Sequence, residues 1–239
     1  MSALLEELDY RQTPMGELVL RRRQLLSMEG RVIYEVKLGE AYLMSSLFHA
    51  SETALADIAL AELGGSGLNV VVGGLGLGYT AAAALRYDRV KRLVVIEALE
   101  PVIDWHRQGL VPNSDVLTSD SRCVFHHGDF FALARSWGFD PHSPGVRFDG
   151  ILLDIDHAPD YLLHTSHGRF YTRAGLEQLQ RFLQPGGIFA LWSNDPPDMD
   201  FLQILAGVFD RAEGRVIAFE NPMQQSAAEN GIYIGQKTA

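Results

Sequence analysis

The chain has one cysteine, Cys123, in 239 residues. No internal disulfide can form, and a reducing, cytoplasmic setting is expected. Cys123 falls in a stretch that reads as a strand, so packing is expected of it rather than reactivity. Paired-cysteine and His-Glu-x-x-His spacings are absent as well. The histidines His157, His164 and His167 therefore make a weak zinc set, and no metal is expected. Basic residues are scarce: 20 Lys and Arg stand against 30 Asp and Glu, a net charge of −10. That balance argues against a nucleic-acid backbone or an anionic membrane as the main partner. No apolar run is long enough to read as a membrane span. The opening MSALLEELDYRQ has no basic region followed by an apolar core, so no secretory signal is expected. Internal repeats and low-complexity tracts are missing too.

What the chain does have is a glycine-rich turn in an apolar setting. Asn69–Tyr79 reads NVVVGGLGLGY, and an alanine-rich helix over Thr80–Leu85 follows it. A β-branched run, a glycine turn and a helix form the opening unit of a doubly wound α/β domain. Gly74, Gly76 and Gly78 remove side chains where a ligand can approach the backbone.

Before this unit, residues 1–48 have a different character. Gly16–Arg22, Arg31–Leu38 and Glu40–Met44 read as strands of a small antiparallel meander. The run Arg21–Arg23 reads as a solvated strand end or an interface. A helix capped by Ser51 and running to Leu63 follows. Residues 49–239 form the second unit. Its further strands are Arg92–Glu97, Arg122–His127, Phe148–Asp154 and Ile188–Trp192. Helices are expected to start at Pro101, along Leu176–Leu183 and along Met199–Phe209, with Pro185-Gly186-Gly187 as a stop. Arg215–Glu220 and Gly231–Gln236 close the chain as an antiparallel pair. The expected architecture is a mainly parallel seven-stranded sheet of the class I S-adenosylmethionine type, with a small N-terminal β-domain.

Three acids end successive strands. Glu97 is placed to accept from ribose hydroxyls. Asp129 is placed to accept from an adenine amino group, with Phe130 or Phe131 against the ring. Asp154 lies nearest the reacting end of such a ligand. Ligands of open α/β sheets bind outside the carboxyl ends of the strands. Gly76–Ala81 also fits the nicotinamide fingerprint G-x-G-x-x-A, but the antiparallel end and the lack of a second nucleotide-binding half count against it.

VIYEVKLGEAYLMSSLFHASE, VVVGGLGLG, VVIE, HGDFF, FDGILLD and FYTRAGLEQLQRFLQPGGI, in this order, resemble the spermidine synthase (polyamine aminopropyltransferase) family. The resemblance implies that Gly74, Gly76, Gly78, Glu97 and Asp129 hold a sulfonium nucleoside, either S-adenosylmethionine or its decarboxylated form, and that Asp154 is the catalytic aspartate. Two departures concern the amine. Leu77 stands where the family places an aspartate that holds the aminopropyl amine. After the fourth strand the chain reads Asp154-Ile155-Asp156-His157, so the second aspartate is replaced by His157 or displaced to Asp156. Asp154, Asp156 and His157 are the catalytic candidates, and Leu77, Tyr161 and His164 are expected to line the substrate pocket. The function implied is alkylation of a small amine. A small-molecule methyltransferase and a catalytically silent nucleoside-binding relative are the alternatives. Exposed N-terminal strand edges suggest a homodimer.

Overall fold

The computed structural model describes residues 4–222 and 226–238. Four antiparallel strands, β1 (Leu5–Thr13), β2 (Gly16–Leu25), β3 (Arg31–Leu38) and β4 (Ala41–Ser45), form the first sheet in that order. β1 adds a strand to the meander read from the sequence. Its segment, LEELDYRQT, is largely polar and half-exposed, so it carries little apolar alternation. Leu18 and Leu20 of β2 and Val36 of β3 are fully buried and join the same apolar cluster as Leu55, Leu75 and Leu77. The small sheet is thereby packed onto the larger unit.

The run Arg21–Arg23 is not a free basic patch. Arg21 and Arg23 pair with buried Glu35 at 2.8 and 2.7 Å, and Arg22 pairs with Glu6 at 2.5 Å. A buried carboxylate needs such partners to remain charged.

The second sheet has seven strands: β5 (Leu68–Gly73), β6 (Val90–Glu97), β7 (Cys123–His127), β8 (Phe148–Leu153), β9 (Leu183–Ser193), β10 (Arg211–Asn221) and β11 (Ser226–Gln236). Their spatial order is β10-β11-β9-β8-β5-β6-β7. β5 to β9 run parallel, and β11 and β10 return antiparallel. Val70–Val72 of β5 and Ile151–Leu153 of β8 are fully buried, as the two-sided cover of a parallel sheet demands. Helices α1 (Ala50–Glu62), α2 (Tyr79–Leu85), α3 (Glu100–Arg107), α4 (Ser114–Ser119), α5 (Phe130–Ala134), α6 (Arg173–Gln180) and α7 (Met199–Ala206) make the connections. No helix among the described residues is long and apolar enough to cross a membrane. Cys123 is half-buried on β7, and burial pushes its thiol up to about 12, so it stays protonated.

Two local readings are corrected, and two short helices are added. α1 starts one residue before Ser51, after His49. The Ser51 hydroxyl is buried and used laterally, accepting from Trp192 Nε1 and bonding Asn230 Oδ1, both at 2.8 Å. Pro185-Gly186-Gly187 does not separate a helix from a strand. The three residues lie inside β9, where Gly186 N–H donates to the carbonyl of Lys237. α4 and α5 have six and five residues, too short to show a 3.6-residue period.

The chain leaves β5 toward β6 and β7 and then crosses back, so that β8 lies on the other side of β5. The connections diverge between β5 and β8, and there the turn after β5 meets the end of β8. A Cβ on Gly74, which has φ +94°, would lie 2.0 Å from the carbonyl oxygen of Asp154. Gly74→Ala is expected to cost about 3 kcal/mol, from left-handed strain plus this backbone overlap. Chemical denaturation of the purified variant measures it.

Candidate active site

The strand order sets out the loops along the carboxyl rim of the sheet. Asp129 follows β7, Glu97 ends β6, the glycine turn follows β5, Asp154 follows β8, and Ser193 ends β9. The sequence predicts the first four of these to converge. They line one cavity of about 380 Å³. Leu38, Leu43 and Met44 of the small sheet roof it, with Met15 from the β1–β2 turn. A second cavity of about 90 Å³ lies on the β5–β9 side, lined by Glu52, Leu77, Tyr79, Asp154, His157 and Trp192. Asp154 and Gly76 belong to both.

The glycine turn is held from below. His106 Nε2 donates to the Gly76 carbonyl (2.9 Å), and Asn113 Nδ2 to that of Leu77 (3.0 Å). Gly76 and Gly78 have φ of +49° and +84°. Side chains there would meet Met44 Sδ and Leu117 Cδ1 at 2.7 Å. Glu97 accepts from the amides of Leu75 (3.0 Å) and Leu99 (2.9 Å), which ties its carboxylate to the turn; burial raises its pKa. Asp129 Oδ1 caps α5, accepting from Phe131 N (2.8 Å) and Ala132 N (3.1 Å). Its Oδ2 has no protein partner among the described residues.

Several predicted residues stand differently from expectation. Phe130 borders the cavity, but its ring is 1% exposed and stacked on Phe139 at 4.8 Å. It supports the floor and offers no open face to a base. Asp156 is 1% exposed. It accepts from Leu163 N, His167 Nδ1 and the Tyr171 hydroxyl, each at 2.8 Å. It lines neither cavity, and its carboxylate is taken up by these three donors. Tyr161 is 63% exposed and lines neither cavity; it stacks on His157 at 4.9 Å. His157 does line the smaller cavity, and His164 the larger. Leu77 is 3% exposed and is part of the smaller cavity's wall.

Glu52 was not anticipated. It lies on α1, half-buried, and lines the smaller cavity with Asp154. The Ser51 hydroxyl is 3.0 Å from its Oε2, and no cation pairs with it among the described residues. Its position could have been read: Glu52 falls three residues before Leu55 and seven before Ala59, on the helix's own apolar stripe. Asp154 Oδ2 accepts from the Thr80 hydroxyl at 2.7 Å. Burial pushes Asp154 up to about 6. Burial and then the charge of Asp154 push Glu52 up to about 8. Each of the two carboxyl groups therefore keeps its proton to a higher pH than a free one. Among the described residues, no group of His, Cys, Asp and Glu is arranged to hold a metal.

Known proteins place this geometry. A spermidine synthase solved with the transition-state analogue AdoDATO matches over 97% of this chain and 73% of its own, at 16% identity and a TM-score of 0.74. The spermidine synthase of Thermotoga maritima matches over 97% and 72%, at 16% identity and a TM-score of 0.73. A structure described as a probable spermidine synthase from Corynebacterium glutamicum matches over 98% and 81%, at 17% identity and a TM-score of 0.65. At such identities the likeness establishes the fold. Residues 49–199 match the sequence model of the spermine/spermidine synthase domain. They span both carboxylates of the smaller cavity, the glycine turn, Glu97 and Asp129. With most of its length matched in sequence and nearly all of it in fold, the chain belongs to the spermine/spermidine synthase family, an aminopropyltransferase-like group of transferases.

Proposed function

We propose that the protein transfers an aminopropyl group from decarboxylated S-adenosylmethionine to a small amine. The observation that carries this is the half-buried pair Glu52 and Asp154, which face one small cavity with no lysine or arginine in its lining. The nucleoside would lie along the rim in the larger cavity, with adenine toward Asp129, ribose at Glu97 and sulfur at the glycine turn. Its third sulfur substituent then enters the smaller cavity. Decarboxylated donor brings an ammonium there, which the carboxylates attract. Intact S-adenosylmethionine would also bring a carboxylate, which they repel. Glu52 thus supplies, from α1, a carboxyl group where Leu77 offers none, and an arriving ammonium favours its ionised form. This observation disfavours methyl transfer.

The chemistry is an in-line displacement. The acceptor nitrogen bonds to the propyl carbon on sulfur, and the carbon–sulfur bond breaks. Its electron pair neutralises the sulfonium, releasing methylthioadenosine. The electrophile is already activated, so the protein contributes chiefly orientation. A protonated amine has no lone pair, so a proton must leave the nitrogen. Asp154, with one oxygen free of Thr80 and a carboxyl raised to about 6, is the base. His157, on the same cavity, faces the acceptor and leaves that side with one acid fewer than the family pattern. A cytoplasmic setting is in keeping with the protein's single cysteine, and the exposed strand edge of the N-terminal sheet supports a homodimer.

Asp154→Asn should lower kcat/KM at least about 100-fold while sparing methylthioadenosine affinity. Wild-type kcat/KM should rise through pH about 6 as Asp154 ionises, and this limb should vanish in the variant. Intact activity in Asp154→Asn would exclude it as the base. Titration calorimetry should show wild type preferring decarboxylated over intact S-adenosylmethionine, and Glu52→Gln should weaken the decarboxylated donor about 10- to 100-fold. Equal affinity of wild type for both donors would sink the proposal.

Glu52 also makes a stability prediction. Its pKa is raised on folding, from 4.5 to about 8. The stabilisation from its protonated form is full below 4.5 and is lost as pH rises through 8. Without ligand, Glu52→Gln should therefore melt about 2–4 °C above wild type at pH 8, with the gap closing toward pH 5. Thermal melts across that range read it.

A further inference from the structure

Beyond the two cavities, the surface carries an open cleft of about 350 Å³ lined by Arg135, Thr165, Ser166 and Arg169. Two of these four residues are arginines and none is acidic, in a chain with a net charge of −10. The arginines come from different elements. Arg135 follows α5, and its amide donates to the Ala132 carbonyl at 3.2 Å. Arg169 ends a short 3-10 turn, Thr165–Arg169, in the loop after β8, and its carbonyl accepts from the Thr172 hydroxyl at 2.8 Å. The main chain is held at both places, while all four lining residues are exposed.

Neither guanidinium has an ion-pair or hydrogen-bond partner among the described residues, and neither does the Thr165 hydroxyl. Other arginines are used differently: Arg92 pairs with Asp140 at 2.5 Å and Arg122 with Asp120 at 2.6 Å. Two like charges lining one cleft repel each other, and an anion between them turns that repulsion into attraction. The guanidinium fork matches the oxygens of a phosphate, and the free hydroxyl adds a donor. Ser166 links the cleft to the larger cavity, since it lines both. Its amide donates to His164 Nδ1 at 3.2 Å, which makes that nitrogen an acceptor, and its hydroxyl donates to the same atom at 2.7 Å. His164 itself stands in the wall of the larger cavity.

We propose that Arg135, Arg169 and Thr165 form a phosphate-binding site outside the two catalytic cavities. Its ligand is a doubly charged phosphate group, free or carried as a monoester. Held between the arginines, the phosphate joins the end of α5 to the turn Thr165–Arg169. It thereby fastens the loop after β8, which supplies His164, Ser166 and His167 to the wall of the larger cavity. This site does not depend on the nucleoside reading given above. The negative net charge of the chain disfavours diffuse attraction of anions, so saturable binding reports a local site.

The test is calorimetric titration of the full chain with inorganic phosphate and with ribose 5-phosphate, in a phosphate-free buffer. Wild type should bind one phosphate group per chain with a Kd of about 1 mM or tighter. Arg135→Ala and Arg169→Ala should each weaken it at least about tenfold. Both side chains are exposed, so the variants should melt with wild type. Arg169→Lys keeps the charge, loses the fork and should fall between wild type and Arg169→Ala. The tighter ligand of the two identifies the source as free phosphate or a monoester. Hydrogen exchange reads the fastening of the loop. With phosphate at about ten times its Kd, the amides of Thr165–Arg169 should exchange about tenfold more slowly in wild type and unchanged in Arg135→Ala at the same concentration. No saturable binding to wild type, or undiminished binding to the two alanine variants, would overturn the site. Binding without slower exchange would overturn the fastening.

Discussion

The site depends on a near contact between two backbones. Gly74 can have no side chain because the Asp154 carbonyl oxygen fills the place of one. That approach joins the turn after β5 to the end of β8, the two strands between which the connections diverge. The Asp154 amide donates to the Gly73 carbonyl at 2.8 Å, and the Gly74 amide to that of Ile96 at 2.9 Å. Three neighbouring strand ends are therefore fixed relative to one another by main chain. Orientation is most of what a displacement at an already activated carbon asks of a protein. A side chain at position 74 would disturb the geometry of Asp154 before it touched any ligand.

Around this fixed centre the two cavities differ in chemistry. The larger one is roofed by apolar side chains from the small sheet, and its polar groups sit at separated points on the rim. The smaller one concentrates two carboxylates in little space. Partly burying two acids without a cation is costly, and it raises the pKa of both. Such an arrangement is out of place as a stabilising device. It becomes intelligible if a positive group arrives with the ligand. Contrast Glu35, buried in the first sheet and satisfied internally by Arg21 and Arg23.

Much of the fold was legible because parallel strands buried on both faces leave continuous β-branched runs. Val70–Val72 and Leu93–Ile96 end in a glycine or an acid, so the order of strands along the chain and the acids at their ends could be read directly. What was missed depends on short or polar segments. β1 has almost no apolar alternation, and α4 and α5 are shorter than two turns. Phe130 and Phe131 are adjacent and both enter the core, and only the packing of α5 decides that Phe130 stacks on Phe139 and Phe131 on His167.

The loop after β8 shows the deeper limit. Asp154, Asp156 and His157 are close in sequence and alike in chemistry, yet they diverge in space. Asp154 faces both cavities, His157 the smaller one, and Asp156 turns inward to Leu163, His167 and Tyr171. Those partners lie 7 to 15 residues further on, so no local pattern could assign the direction. The same holds for Glu52, whose partner across the cavity is separated from it by the whole β5–β8 segment. An acid on an apolar helix stripe announces burial. Only the fold says that it is buried opposite a second acid, and that opposition determines which charge the site will accept.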